Sequence, residues 1–241
     1  MSTPDLSVVF PVFNEEDNVP ILLDEIRRAL AGEEWSYEII AVDDGSSDRS
    51  LEVLRRARVE YPTLRILRFA RNSGQTAALD AGWRAARGEW VVSLDADLQN
   101  DPDDIPAMMR LIQEKGVDMV AGVRVKRRDT AWKRFQSKIG NTVRNWITHD
   151  RVTDTGCSLK LLRRDCIDRL RLYRGMHRFL PTLLRIEGYE VVEMPVNHRP
   201  RRFGTTKYGA MNRALRGLAD CFAVRWMKQR HLDYEILEEE R

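Results

Sequence analysis

Five short, mostly apolar segments, at residues 6–13, 37–42, 64–69, 90–94 and 117–121, alternate with segments of helical period. Short apolar runs bounded by turn formers read as buried strands. The intervening segments, 18–30, 50–61, 74–86 and 102–114, read as helices. The first is the clearest, with Val19, Leu22, Leu23, Ile26 and Leu30 on one face and Gly32 just beyond its end. Pro62 stops the second, and Pro102 suits the first position of the fourth. Ala77, Ala78, Ala81, Gly82, Ala85 and Ala86 give the third a small-residue face for close packing. This alternation predicts an α/β fold: a Rossmann-like, mostly parallel sheet with helices on both faces. Such sheets bind ligands beyond the C-terminal ends of their strands. The loops PVFNEE, DDGSSD, ARNSGQ and DADLQND all fall there.

The loop after residue 94 carries the most chemistry. Asp95 and Asp97 leave the strand one residue apart and repel each other unless a cation lies between them. Mg2+ or Mn2+ takes hard oxygen ligands, usually one or two carboxylates plus substrate phosphates. The pair therefore predicts a divalent-metal site for a phosphate-bearing substrate; the bland alternative is a solvated acidic loop. Taken singly, the other groups also have plain readings. Asp43-Asp44-Gly45-Ser46 suits a turn and helix cap. Asn14-Glu15-Glu16 suits a helix N-terminus, and residues 124–128 suit a solvated charge run. Trp132, Phe135 and Trp146 read as packing or interfacial residues rather than stacking platforms for a ligand. His149 and His177 read as structural, and Cys157 as a small buried residue.

From about residue 124 the pattern changes. Residues 130–148 have the period of a basic amphipathic helix, with Trp132, Phe135, Ile139, Val143, Trp146 and Ile147 along it. Segments 154–162 and 191–196 and a helix over 176–187 complete the domain. HRPRRFGTTKYG, residues 198–209, is a basic loop, and 211–230 reads as a last helix. There Met211, Ala214, Leu215, Leu218, Phe222 and Trp226 share a face, with Arg213, Arg216 and Asp220 opposite. That pattern suits a helix lying on a membrane, packed on a neighbouring subunit, or covering its own core.

The net charge of +3 conceals an asymmetry, because Lys and Arg crowd residues 124–151 and 199–230. Such patches meet nucleic acid, phospholipid or a phosphorylated substrate. No aromatic-interleaved RNA-binding signature accompanies them, so a lipid or substrate phosphate is expected and nucleic acid is not. A chain of 241 residues with 43% hydrophobic and 32% charged residues has the composition of a globular domain that can bury a sizeable core. Three cysteines without a CxxC pair predict a reducing compartment rather than a disulfide framework. Neither a signal-peptide pattern nor a run of about 18 apolar residues is visible.

VVFPVFNEEDNV, EIIAVDDGSSD, ARNSGQTAALDAGWRAARGE, SLDADLQNDPDDI, DTGCSLKLLRRD, RFLPTLLRIEGYEVVEMPVNHRPR and GTTKYG occur in this order. Together they resemble the family 2 glycosyltransferases of GT-A fold, and more closely those acting on polyprenyl phosphates. The resemblance covers residues 6–208. It implies a GT-A domain at 1–208, followed at 209–241 by an amphipathic helix and an acidic tail. It implies that Pro11, Phe13 and Glu15 line a nucleotide site, with Phe13 where the family often has Tyr. Asp43 and Asp44 would contact base and ribose. Gln75, with the Asn72-Ser73-Gly74 turn, would lie near base or diphosphate. Asp95, Asp97 and Gln99 would hold Mg2+ or Mn2+ against the diphosphate. Arg124, Arg134 and Ser137 would cradle an acceptor phosphate, and Arg202 and Lys207 would close over donor and acceptor phosphates. Asp97, Arg124, Arg202 and Lys207 are the candidate catalytic residues.

The expected activity is inverting, metal-dependent transfer of a hexose from GDP-mannose or a UDP-sugar to dolichyl or undecaprenyl phosphate. A phosphate acceptor has its second pKa near 6, so it needs cations to place it rather than a base. The chain also lacks the Glu-Asp pair and QxxRW element of processive family 2 enzymes. Asp154 is then expected to contact the donor sugar or an arginine. Two alternatives stand beside this reading: a saccharide or protein acceptor with Asp154 as base, and a non-catalytic nucleotide-sugar-binding subunit. The expected location is cytoplasmic and peripheral at the inner membrane face, as a homo-oligomer or with a membrane subunit.

Overall fold

The computed structural model describes residues 3–125, 141–201, 210–232, 234 and 238, with side chains of the last helix from 217 onward. Seven strands form one sheet in the order β3-β2-β1-β4-β6-β5-β7. They are β1 (Leu6–Val12), β2 (Tyr37–Asp43), β3 (Leu64–Arg68), β4 (Trp90–Ser93), β5 (Met119–Arg124), β6 (Lys160–Arg163) and β7 (Val191–Val196). All neighbours pair in parallel except β6, which runs antiparallel to both β4 and β5. The helices are α1 (Val19–Leu30), α2 (Ser50–Ala57), α3 (Gln75–Ala85), α4 (Ile105–Lys115), α5 over described residues 141–148, α6 (Asp165–Arg169), α7 (Leu180–Ile186) and α8 (Ala210–Arg230).

The sheet separates two apolar cores, as the period-2 side-chain alternation of a strand requires. Leu6, Val8, Phe10 and Val12 of β1 share one core with α1 and α4. Val9, with Ile40 and Val42 of β2, shares the other with α3, α6, α7 and α8. Most of these side chains are fully buried, each worth roughly 1.5–3 kcal/mol relative to exposure. The small face of α3 serves the expected purpose. A Cβ on Gly82 would meet Val9 Cγ1 at 2.4 Å, so α3 lies against β1 at a distance only glycine permits there.

Among the described residues the predicted elements occur, with shifts at their ends, and of the helix expected over 130–148 only 141–148 are described. Residues 102–114 divide into a 3-10 turn (Pro102–Asp104), where Asp101 Oδ1 accepts from Asp103 N at 3.2 Å, followed by α4. Residues 176–187 likewise begin with a 3-10 turn (Met176–Phe179) before α7. The second helix ends at Ala57 rather than 61. Its continuation folds Tyr61 inward, and the Arg27 guanidinium covers that ring at 5.2 Å. Of the segment 154–162 only its end forms a strand, β6, whose antiparallel direction the sequence reading did not give, and the short α6 is an addition to that reading.

Helix α8 meets the second core through residues outside the described part of its apolar stripe. Cys221 and Val224 enter the second core. The stripe of Leu218, Phe222 and Trp226 is exposed, at 41%, 57% and 62%. Trp146 of α5, 73% exposed, stands on the adjoining helix. Arg225 Nη1 and Lys228 Nζ tie the two helices by donating to the Ile147 and His149 carbonyls at 3.3 and 2.9 Å. Met211, Ala214, Leu215, Arg213 and Arg216 fall where side chains are outside the description.

Candidate active site

The loops after β1 to β4 interlock at one edge of the sheet. After β1, Asn14 adopts φ +55°, and its Oδ1 accepts from Ser47 N at 2.8 Å. Glu15 N donates to Ser50 Oγ at 2.8 Å, and Glu16 N to Asp48 Oδ2 at 3.2 Å. These bonds fasten the Pro11-Phe13-Glu15 segment to the loop after β2. Gly45, at φ +68°, lets that loop pass the next one. A Cβ there would lie 2.6 Å from the Arg71 carbonyl carbon.

The two adjacent aspartates divide their work. Asp44 braces the loop after β3: its carboxylate accepts from Asn72 Nδ2, Ser73 N and Gly74 N at 3.0, 2.6 and 2.9 Å. Asp43 accepts from Ser46 N at 3.1 Å through Oδ1. Its Oδ2 is buried and has no hydrogen-bond partner among the described residues. A buried carboxylate oxygen without a donor is costly, so Asp43 is the acid of this pair suited to accept from a ligand.

Gln75 opens α3 and donates from Nε2 to Asp95 Oδ1 at 2.7 Å. The next residue, Thr76, takes Gly175 N on its hydroxyl at 2.9 Å and meets His177 Nδ1 at 2.7 Å. Burial, with the charges of Lys160 and Arg178, lowers the His177 pKa to about 3, so this imidazole is a neutral tie. It bears out the structural reading of His177.

Asp95 and Asp97 sit on a loop that doubles back. Leu98 takes φ +61° with its side chain buried. Asp97 Oδ1 then accepts from Gln99 N at 3.1 Å, and Asn100 Oδ1 accepts from both Asp95 N at 3.2 Å and Ser158 Oγ at 2.7 Å. Burial and the neighbouring Asp97 raise the Asp95 carboxyl to about 6. A carboxyl raised by burial and by a second carboxylate beside it fits a cation between the two. The described residues hold no group of three or more His, Cys, Asp or Glu placed to bind a metal ion. Two carboxylates and an amide fit Mg2+ or Mn2+ that keeps substrate phosphates among its ligands.

Three cations surround these acids. Arg124, ending β5, grips Asp154 with two bonds of 2.7 and 2.8 Å. The Arg contact anticipated for Asp154 is therefore present. A Cβ on Gly156 would meet Arg124 Nη2 at 2.6 Å, so glycine makes room for the fork. Lys160, opposite Ser93 in the β4–β6 ladder, is buried and donates to the Cys157 carbonyl. Burial lowers its pKa, against the charges of Asp95 and Asp154. Arg201 Nη2 lies 2.6 Å from Asp97 Oδ2.

The structure thus assembles Pro11, Phe13, Glu15, Asp43, Asp44, Gln75, Asp95, Asp97, Gln99 and Arg124 along one sheet edge. Arg134, Ser137, Arg202 and Lys207 lie outside the described residues, as do Trp132, Phe135 and Ile139. Sequence reasoning passed over Asn100, Lys160, Arg199 and Arg201. Lys160 stood inside the DTGCSLK motif, but its inward direction depends on β6 running antiparallel. Arg201 adjoins the Arg202 that was chosen, and no periodicity separates the two.

Comparison with known proteins agrees with this fold. A profile described as glycosyl transferase family 2 matches residues 7–174. A dodecaprenyl-phosphate galacturonate synthase of Rhizobium johnstonii is 38% identical over 91% of this chain and 66% of its own length. An undecaprenyl-phosphate 4-deoxy-4-formamido-L-arabinose transferase of Pseudomonas syringae is 38% identical over 86% and 61%. The chain therefore spans about two thirds or less of these relatives. Among solved structures, glucosyl-3-phosphoglycerate synthase of Mycobacterium tuberculosis, in complex with Mn2+ and UDP-glucose, superposes with TM-score 0.71. It shares 16% identity over 95% of this chain and 80% of its own. A mannosyltransferase of Pyrobaculum calidifontis, in complex with GDP-Man and Mn2+, gives 0.61 at 21% identity, over 82% and 57%. With the matched profile running from β1 through all four site loops to the turn before α7, the chain belongs to glycosyl transferase family 2.

Proposed function

We propose that this chain transfers a sugar, with inversion, from a nucleotide diphosphate to a polyprenyl phosphate. The observation that carries the reading is the Asp95–Asp97 pair at the end of β4, framed by Gln75, Arg124, Lys160 and Arg201. Two of its relatives, named as prenyl-phosphate sugar enzymes, support the acceptor class. Residues 1–208 would form the transferase domain and 209–241 its appended helix and tail.

Asp43 Oδ2 would accept from the base, while Asp44 holds the loop on which Gln75 sits. Pro11, Phe13 and Glu15 would line the nucleotide. Asp95, Asp97 and the Gln99 side chain would hold Mg2+ or Mn2+, which when bound neutralises charge developing on the departing diphosphate. Gln75 orients Asp95 for that role. Arg124, Arg134 and Ser137 would place the acceptor phosphate, and Arg202 and Lys207 would close over both phosphates. No base is required, because the acceptor arrives as an anion. Asp154 committed to Arg124 by a two-bond fork favours this reading over a saccharide or protein acceptor with Asp154 as base. The intact acidic set argues against a subunit that only binds nucleotide sugar.

A polyprenyl acceptor places the protein at a membrane. No described helix is long and apolar enough to cross one. Leu218, Phe222, Trp226 and Trp146, beside Arg225, Lys228 and Arg230, form an exposed apolar surface with a cationic rim that suits peripheral contact. The cytoplasmic face is proposed because nucleotide sugars are supplied there.

EDTA should abolish transfer by the parent protein, and Asp97→Ala should abolish it with Mg2+ or Mn2+ present. Full turnover by the chelated protein or by the variant would refute the acidic-pair assignment.

A further inference from the structure

We propose that Arg201 is the standing counter-ion of Asp97 and yields that carboxylate only when a divalent ion and a nucleoside diphosphate arrive together, so that ion binding depends on the diphosphate. The inference rests on the metal role assigned to Asp97 in the proposed function.

Asp97 is enclosed, with its side chain 10% exposed. Both its oxygens are engaged: Oδ2 with Arg201 at 2.6 Å and Oδ1 with the Gln99 amide at 3.1 Å. A divalent ion at Asp97 therefore calls on an oxygen that a guanidinium already holds by a charge-assisted bond. The two cations repel across a single carboxylate. The ion alone must overcome both the lost bond and that repulsion. A diphosphate changes the balance, because it offers the displaced guanidinium a new anion and adds oxygens to the ion's shell.

The backbone around Arg201 keeps that exchange local. Two residues earlier, Arg199 forks onto the buried carboxylate of Glu25 at 2.9 and 2.7 Å, and its Nη2 also reaches the Asn100 carbonyl at 2.9 Å. Arg199 N donates to the Gln99 carbonyl at 2.9 Å, and His198 bridges to Asn100. Asn197 is held twice by Asp104, at 2.7 and 3.1 Å. The strap leaving β7 is thus sewn to the acidic loop until just before Arg201. The backbone leading to Arg201 therefore stays beside the metal and diphosphate positions when the guanidinium exchanges Asp97 for a diphosphate. Arg201 in this account is a positioning residue: it keeps Asp97 neutralised and makes the ion and the nucleotide bind as a pair.

Mn2+ binding tests this directly, followed as loss of the free-ion signal in electron paramagnetic resonance, with and without UDP or GDP. The parent should bind Mn2+ weakly alone and more tightly with its nucleotide. Arg201→Gln should bind Mn2+ alone at least about fivefold more tightly, and nucleotide enhancement should shrink by the same factor, since coupling is reciprocal. Arg201→Lys, which keeps the charge, should behave like the parent, and a circular dichroism spectrum like the parent's should accompany both variants. Unchanged Mn2+ affinity in a folded Arg201→Gln protein, with nucleotide enhancement intact, overturns the inference alone. A parent that binds no Mn2+ under any of these conditions overturns the metal reading and this inference with it.

Discussion

Asp95→Asn should make the protein more stable at neutral pH. Burial and the neighbouring Asp97 raise the folded-state pKa of Asp95 from 3.8 to about 6. Below pH 3.8 the group is protonated in both folded and unfolded chains and has no differential effect. Between 3.8 and 6 the unfolded carboxyl ionises while the folded one resists, so stability falls. Above about 6 the full penalty applies. A displacement of about 2 pKa units corresponds to roughly 3 kcal/mol as an upper bound, at 1.36 kcal/mol per unit. Coupling to Asp97 and partial solvent access reduce this, leaving about 1–3 kcal/mol. Asparagine removes the charge and keeps an oxygen where Gln75 Nε2 donates at 2.7 Å. For a domain of this size the gain is a rise in Tm of about 2–12 °C. Calorimetry in EDTA at pH 7.5 and at pH 4 measures it. The gain should be present at pH 7.5 and largely absent at pH 4. No gain at pH 7.5, or an equal gain at both, would refute the reasoning. The stabilised variant should also lose Mn2+ binding, as expected where a strained acidic pair is kept for function.

Two further predictions concern acceptor and membrane. Asp154→Asn should leave turnover within about 100-fold of the parent and act mainly on acceptor KM, because Asp154 orients Arg124; a kcat loss of about 10³–10⁴ with an altered pH profile would mark a general base instead. Replacing Phe222 and Trp226 together by Ser should weaken flotation with anionic liposomes at every salt concentration, whereas the parent's binding should fall as salt rises. Undiminished flotation by the double variant would show that α8 is not the contact, and a dimer lost in that variant would make the stripe a subunit interface.

Most of the sheet was legible because β1 to β5 announce themselves as apolar runs between turn-forming loops, and α1 and α3 carry clear periods. The site loops were legible for the same reason, since a parallel sheet brings strand C-termini to one edge. Features that depend on distant pairing were not. The antiparallel β6 buries Lys160 within reach of the Asp95 charge, and a four-residue strand, Lys160-Leu161-Leu162-Arg163, carries no sign of its direction. Asp43 and Asp44 look equivalent in DDGSSD, and only the folded loop shows Asp44 spent on Ser73 and Gly74 while Asp43 Oδ2 stands ready. In α8 the described part of the stripe, Leu218, Phe222 and Trp226, is exposed while Cys221 and Val224 enter the core, since helix period alone does not say which side meets the sheet.

The central claim is transfer of a sugar onto a lipid phosphate. Incubating the protein with undecaprenyl phosphate, Mg2+ or Mn2+ and a panel of nucleotide sugars including UDP-glucose and GDP-mannose, then weighing the lipid by mass spectrometry, tests it most directly. The account predicts one lipid product heavier by a single sugar residue, with stoichiometric nucleoside diphosphate, for at least one donor. Sugar released only to water, or transferred to a saccharide or protein while the lipid phosphate keeps its mass across the panel, would contradict it.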